Sequence, residues 1–82
     1  MLINSMNDVI ALVRAKRIEL GLTQDQLAEK VNMSRQWVRN LEGGIGAPAF
    51  PAVLAVFQAL DLELNVAPTT TDADVDAMFA GL

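Results

Sequence analysis

Thr23-Gln24-Asp25-Gln26-Leu27-Ala28-Glu29-Lys30-Val31-Asn32-Met33-Ser34-Arg35-Gln36-Trp37-Val38-Arg39-Asn40-Leu41-Glu42 is the stretch on which the reading of this chain turns. Leu27 and Val31 lie four apart and share one face of a short helix. Val38 and Leu41 lie three apart and share a face of a second. Between them Asn32 falls where the chain must turn. A left-handed residue ends many helices, and after Gly it is Asn that tolerates this conformation best. Thr23 is placed to cap the first helix, with Gln26 three residues on to complete a capping box. Ser34 can cap the second, its hydroxyl accepting from an orphan backbone N–H. Ala28 is small enough for another helix to cross closely, and Met33 is expected to plug the corner. The spacing predicts two capped helices of about eight residues each, joined by a tight turn.

Such a pair sets its second helix in the DNA major groove; the competing reading is a helical hairpin from an unrelated bundle. Together with Val13-Arg14-Ala15-Lys16-Arg17-Ile18-Glu19-Leu20-Gly21-Leu22, the stretch resembles the Xre/Cro class of helix-turn-helix proteins, to which phage repressors belong. The resemblance runs from Val13 to Gly43. It departs at Asn32, where the class usually has Gly, and the turn argument makes that departure mild. The resemblance implies that Arg17 pairs with Glu42; two independent surface charges are the alternative. The polar face of the second helix carries Arg35, Gln36, Arg39 and Asn40. Arg suits guanine, and Gln or Asn suits adenine, each through two hydrogen bonds. By position in the class, Arg35, Gln36 and Asn40 are the expected base readers. Gln24, Ser34 and Arg39 are expected on phosphates, with Gln24 helped by the orphan N–H groups of its helix start. Trp37 lies beside this face, and its N–H could meet a phosphate or its ring could simply fill the core. Solvated surface residues are the plain alternative for all of these.

Composition narrows the rest. Eighty-two residues make one small domain, close to the size where burial is marginal, so association would help it. With no Cys and no His, there is no disulfide, no thiolate metal site and no imidazole base, and no metal or cofactor is expected. No stretch approaches the roughly 20 apolar residues of a membrane span. Met1 to Met6 lacks the marks of a signal peptide, so a cytoplasmic protein is expected. The net charge of −4 argues against nucleic acid, but its distribution matters more. All six basic residues lie between Arg14 and Arg39. Residues 1–60 carry those six and five acids, a net of +1, and the remaining five acids follow Leu60. Few phosphate contacts are available, so modest affinity and a shallow salt dependence are expected.

In order along the chain, Ser5 or Asn7 can cap a helix running to about Leu20 and ended by Gly21. Val9, Val13 and Leu20 should form its apolar stripe, flanked by Ile10 and Ile18. Gly43-Gly44-Ile45-Gly46-Ala47-Pro48 reads as a loop that can skim a DNA backbone. It is not a phosphate-binding loop of the nucleotide kind, because no strand precedes it and no Lys-Ser/Thr follows. Pro51 suits the first turn of a fourth helix reaching about Leu60. That helix is apolar nearly all round and must be covered on two sides. Leu54 and Phe57 are the candidates for contact with a second copy. Asp61-Leu62-Glu63-Leu64-Asn65-Val66 alternates with the period of a strand. A lone strand needs a ladder partner, and the same strand of a second subunit, antiparallel across a two-fold axis, supplies one. Leu62, Leu64 and Val66 then join the interface. Beyond Pro68, the acids Asp72, Asp74 and Asp76 precede Val75, Met78, Phe79 and Leu82, which share one face of a short helix. This tail is either a solvated extension or a segment that folds on a partner.

The expected architecture is therefore mainly α. Residues 1–66 form a four-helix DNA-binding and dimerisation domain with one short strand paired across a homodimer, and 67–82 form an acidic tail. The helix-turn-helix followed by a Leu-Glu-Leu strand after an Ala-Leu-Asp helix end is similar to the HipB-like antitoxins. That likeness implies a homodimer that represses its own operon on double-stranded operator DNA and neutralises a HipA-like Ser/Thr kinase toxin, the tail being one place to hold it. A stand-alone repressor is the alternative. Nothing in the chain pairs a nucleophile with a base, so an enzyme is not expected.

Overall fold

The computed structural model describes residues 2–68. Four helices follow one another: α1 (Met6–Glu19), α2 (Gln24–Val31), α3 (Arg35–Gly43) and α4 (Phe50–Ala59). Their starts are set by local chemistry. Ser5 caps α1, its Oγ accepting from the Asp8 N–H at 3.4 Å. Thr23 and Gln26 make the reciprocal box at α2, at 3.0 Å and 2.8 Å. The Ser34 Oγ accepts from the Trp37 N–H at 3.0 Å and starts α3. No side chain caps α4; Pro51 sits in its first turn, where a missing N–H costs nothing.

All four helices end in the same way. A residue with positive φ reverses the chain at Gly21, Asn32, Gly44 and Asp61. The next N–H then returns to the carbonyl five residues back: Leu22 to Arg17, Met33 to Ala28, Ile45 to Asn40, and Leu62 to Phe57. This double-bonded helix end satisfies carbonyls that would otherwise be orphaned. Asp61 is the unexpected member. After Gly and Asn, Asp is the side chain that reaches this region most readily.

The core gathers Val9 and Val13 from α1, Leu27 and Ala28 from α2, Val38 and Leu41 from α3, and Val53, Val56 and Phe57 from α4, with Leu60 closing it. The central helix is α2, which packs on both α3 and α4, while α1 packs on α3.

Four expectations are corrected. Leu20 is 41% exposed and lies off the core, because α1 stops at Glu19 and the turn through Gly21 brings Leu22 inward instead. Met33 is 36% exposed and leaves the corner partly open. Phe57 is only 4% exposed and belongs to the chain's own core, so its ring is not offered to a second copy. Residues 62–68 form neither helix nor strand, and there is no strand among the described residues. Leu62 is turned back by Asp61 onto the α4 side of the core. A strand at residues 62–66 is therefore not formed within one chain. The tail residues Val75, Met78, Phe79 and Leu82 lie outside the described residues.

Candidate nucleic-acid interface

Helix α3 is held by one face and open on the other. Val38 and Leu41 are buried, while Arg35, Gln36 and Arg39 are exposed and Asn40 half-buried. This follows from their spacing, since residues three and four apart share a face and the polar residues fill the remainder. Ser34 stands at the helix start. Its oxygen accepts the capping bond, which leaves its own O–H as a donor.

The exposed side chains are tied to one another. The Gln36 Nε2 donates to Asn40 Oδ1 at 2.8 Å, so the two amides form one bridged pair one helical turn apart. Arg35 Nη1 lies 3.6 Å from Asp25 Oδ2 across the turn, with both side chains more than half exposed. Trp37 is half-buried and packs against the core. With Asn40, Leu41, Ile45, Gly46, Ala47 and Pro48 it lines a shallow hollow between α3 and the loop that follows.

Beneath this face lies a charged anchor. Arg17 donates through Nε to Glu42 Oε2 at 2.7 Å and through its Nη2 to Oε1 at 2.9 Å. Its Nη1 donates to the Leu22 carbonyl at 2.8 Å. Both side chains are largely buried, at 12% and 4% exposed. The planar guanidinium matches the carboxylate with two parallel bonds. A carboxylate in the last turn of α3 faces the negative end of that helix, so it needs this partner.

Gln24, expected on a phosphate, is half-buried, and its Nε2 donates to Glu42 Oε1 at 3.3 Å. One amide hydrogen remains for another acceptor. Sequence reasoning missed this bond because its partners lie 18 positions apart and no local period connects them.

Lys16 pairs with Glu19 at 3.3 Å. Among the described residues, Arg14, Lys30 and Arg39 enter no ion pair. No described helix is long and apolar enough to cross a membrane.

An anchored helix that turns guanidinium and amide groups outward presents the donors and acceptors that read base edges, and the fold around it is that of a DNA-binding transcriptional regulator. The chain belongs to the Helix-turn-helix family (HTH_3), whose model matches residues 13–66. An uncharacterized HTH-type transcriptional regulator of Methanothermobacter thermautotrophicus is 42% identical over 52 residues, 63% of this chain and 75% of that protein. Among solved structures, a chain of the HipA-HipB-O2-O3 complex superposes with a TM-score of 0.77 at 21% identity, covering 85% of this chain and 99% of that one. The HipB-O4 20mer complex gives 0.77 at 20% identity, with the same coverage. A mutant of the restriction-modification controller protein C.Esp1396I gives 0.67 at 22%, covering 71% of this chain and 75% of that one. At these identities the likeness is one of fold, and the fold is HipB-like.

Proposed function

We propose that the chain is the antitoxin of a type II toxin–antitoxin system: a homodimer that represses its own operon and binds and neutralises a HipA-like Ser/Thr kinase toxin. The observation that carries this reading is the extent of the likeness to HipB. It takes in 99% of the HipB chain and 85% of this chain, more than all the residues up to the end of α4 at Ala59. The likeness to the controller protein takes in less of both chains. Incubating the tagged 82-residue protein in lysate of its native cells, followed by mass spectrometry, tests the partner. A stoichiometric protein of kinase fold supports the antitoxin reading. Its absence, with operator DNA still captured, leaves a stand-alone repressor. The relative from Methanothermobacter thermautotrophicus, called an HTH-type transcriptional regulator, is compatible with either reading.

In this reading Arg35, Gln36 and Asn40 face base edges, and Gln24, Ser34, Trp37 and Arg39 face phosphates. Gln36→Ala is expected to weaken binding to the selected operator by about 1–3 kcal/mol while sparing random duplex. Titration of both duplexes measures it, and equal losses on the two would remove Gln36 from base reading.

The dimer would use the apolar surface left beside α4. Leu54, Leu62 and Leu64 line an open groove with Gln58 and Glu63, and Val66 is exposed beyond it. Pairing of residues 62–66 across a two-fold axis would set the two α3 helices about one DNA turn, roughly 34 Å, apart. Leu64→Lys is expected to shift the mass in light scattering from dimer toward monomer. An unchanged mass would rule out this pairing.

A further inference from the structure

Asp25 is a carboxylate at the edge of a surface that must approach phosphates, and the DNA-reading proposal gives it no task. It sits in the first turn of α2, exposed, with Oδ2 3.6 Å from Arg35 Nη1. Resting on the DNA-reading proposal, we infer that Asp25 is a specificity-determining residue: it holds Arg35 for a guanine edge and withholds it from the phosphate backbone.

An arginine at the start of a recognition helix has two destinations, a base edge in the groove or a phosphate beside it. Its long side chain reaches both, and the phosphate attracts it whatever the sequence. A carboxylate within 4 Å changes the balance in two ways. It cancels the charge that the phosphate would attract, and it repels phosphate oxygens that come near the pair. A guanine edge carries no net charge, and its O6 and N7 accept from the donors that Arg35 does not direct to Asp25. In water an exposed pair of this kind is weak. In the docked complex water is displaced from around it, and the same charges interact more strongly.

The rest of the surface makes the effect readable. Arg14, Lys30 and Arg39 are the only cations outside ion pairs among the described residues, so sequence-independent attraction is small to begin with. Releasing Arg35 from Asp25 would add another cation to that set.

The test uses the 82-residue protein and a library of randomised duplexes. Wild type, Asp25→Asn and Asp25→Glu are each taken through the same selection. Their binding to the enriched duplex and to unselected duplex is then titrated across a salt series. The proposal expects Asp25→Asn to bind unselected duplex roughly 3- to 10-fold more tightly, with a salt slope steeper by about 0.9, one further phosphate contact. It also expects one guanine column of the selected motif to flatten, losing roughly tenfold discrimination. Asp25→Glu should keep the guanine preference. A thermal melt checks that the fold survives, since Asp25 makes no other side-chain bond among the described residues. If Asp25→Asn tightens both duplexes equally and selects the same motif, Asp25 is a surface charge and the inference fails alone. If wild type enriches no motif, the base-reading proposal and this inference fail together.

Discussion

Glu42→Ala is expected to lower the stability of the fold by about 3–5 kcal/mol, because it strands the Arg17 guanidinium in a largely buried site. Arg17 would keep its bond to the Leu22 carbonyl and lose both bonds to the carboxylate. Gln24 would lose its acceptor as well. The damage therefore reaches α1, the start of α2 and the end of α3 together. In a domain of this size each kcal/mol lowers the melting temperature by about 4–8 °C. The double replacement Arg17→Met with Glu42→Leu separates two explanations. A buried ion pair balances attraction against desolvation, so removing both charges should recover most of the loss. Urea midpoints of the wild type, the two single variants and the double variant form the cycle. A Glu42→Ala variant as stable as wild type would show that the pair is solvated and independent.

The second large effect is expected at Leu27. Its side chain is fully buried, on the helix that packs against both α3 and α4. Leu27→Ala should cost about 2–5 kcal/mol, the lost transfer of the side chain plus the cavity left behind. Leu20→Ala should lie within about 0.5 kcal/mol of wild type, as surface replacements usually do. Chemical denaturation of the two variants side by side reads the difference. Similar losses at both positions would mean that Leu20 belongs to the core after all.

What was legible in this sequence was mostly local. Thr23 with Gln26, Ser34, and Asn32 declare helix ends because capping and left-handed turns are decided within about four residues. The apolar pairs Leu27/Val31 and Val38/Leu41 declare their faces by period alone. Where the reading missed, the cause lay in tertiary contact. Period assigns Phe57 to an apolar helix but does not say whether its own chain or another covers it. Leu62 fits an alternating pattern, yet Asp61 turns it back onto α4. An Asp just past an apolar helix is the signal for that turn. For Leu20 the helix period was carried one residue too far, past Glu19. On α3, the exposed polar face was legible, while the bonds that organise it were not. The Asp25–Arg35 approach and the Gln24–Glu42 bond join different helices, and neither has a sequence period to announce it.

The surface also explains how a chain of net charge −4 can bind DNA. Its cations are few, and Lys16, Arg17 and Arg35 are already paired. Affinity for arbitrary sequence should be low, and discrimination must come from short-range contacts to base edges.

The most direct test is a titration of the 82-residue protein onto the duplex that lies upstream of its own reading frame, beside a scrambled duplex of equal length and composition. Fluorescence anisotropy at physiological salt reads both. The native duplex should bind at least about a thousandfold more tightly than the scrambled one. Equal affinity for the two would contradict it, because the chain would then not recognise an operator of its own operon.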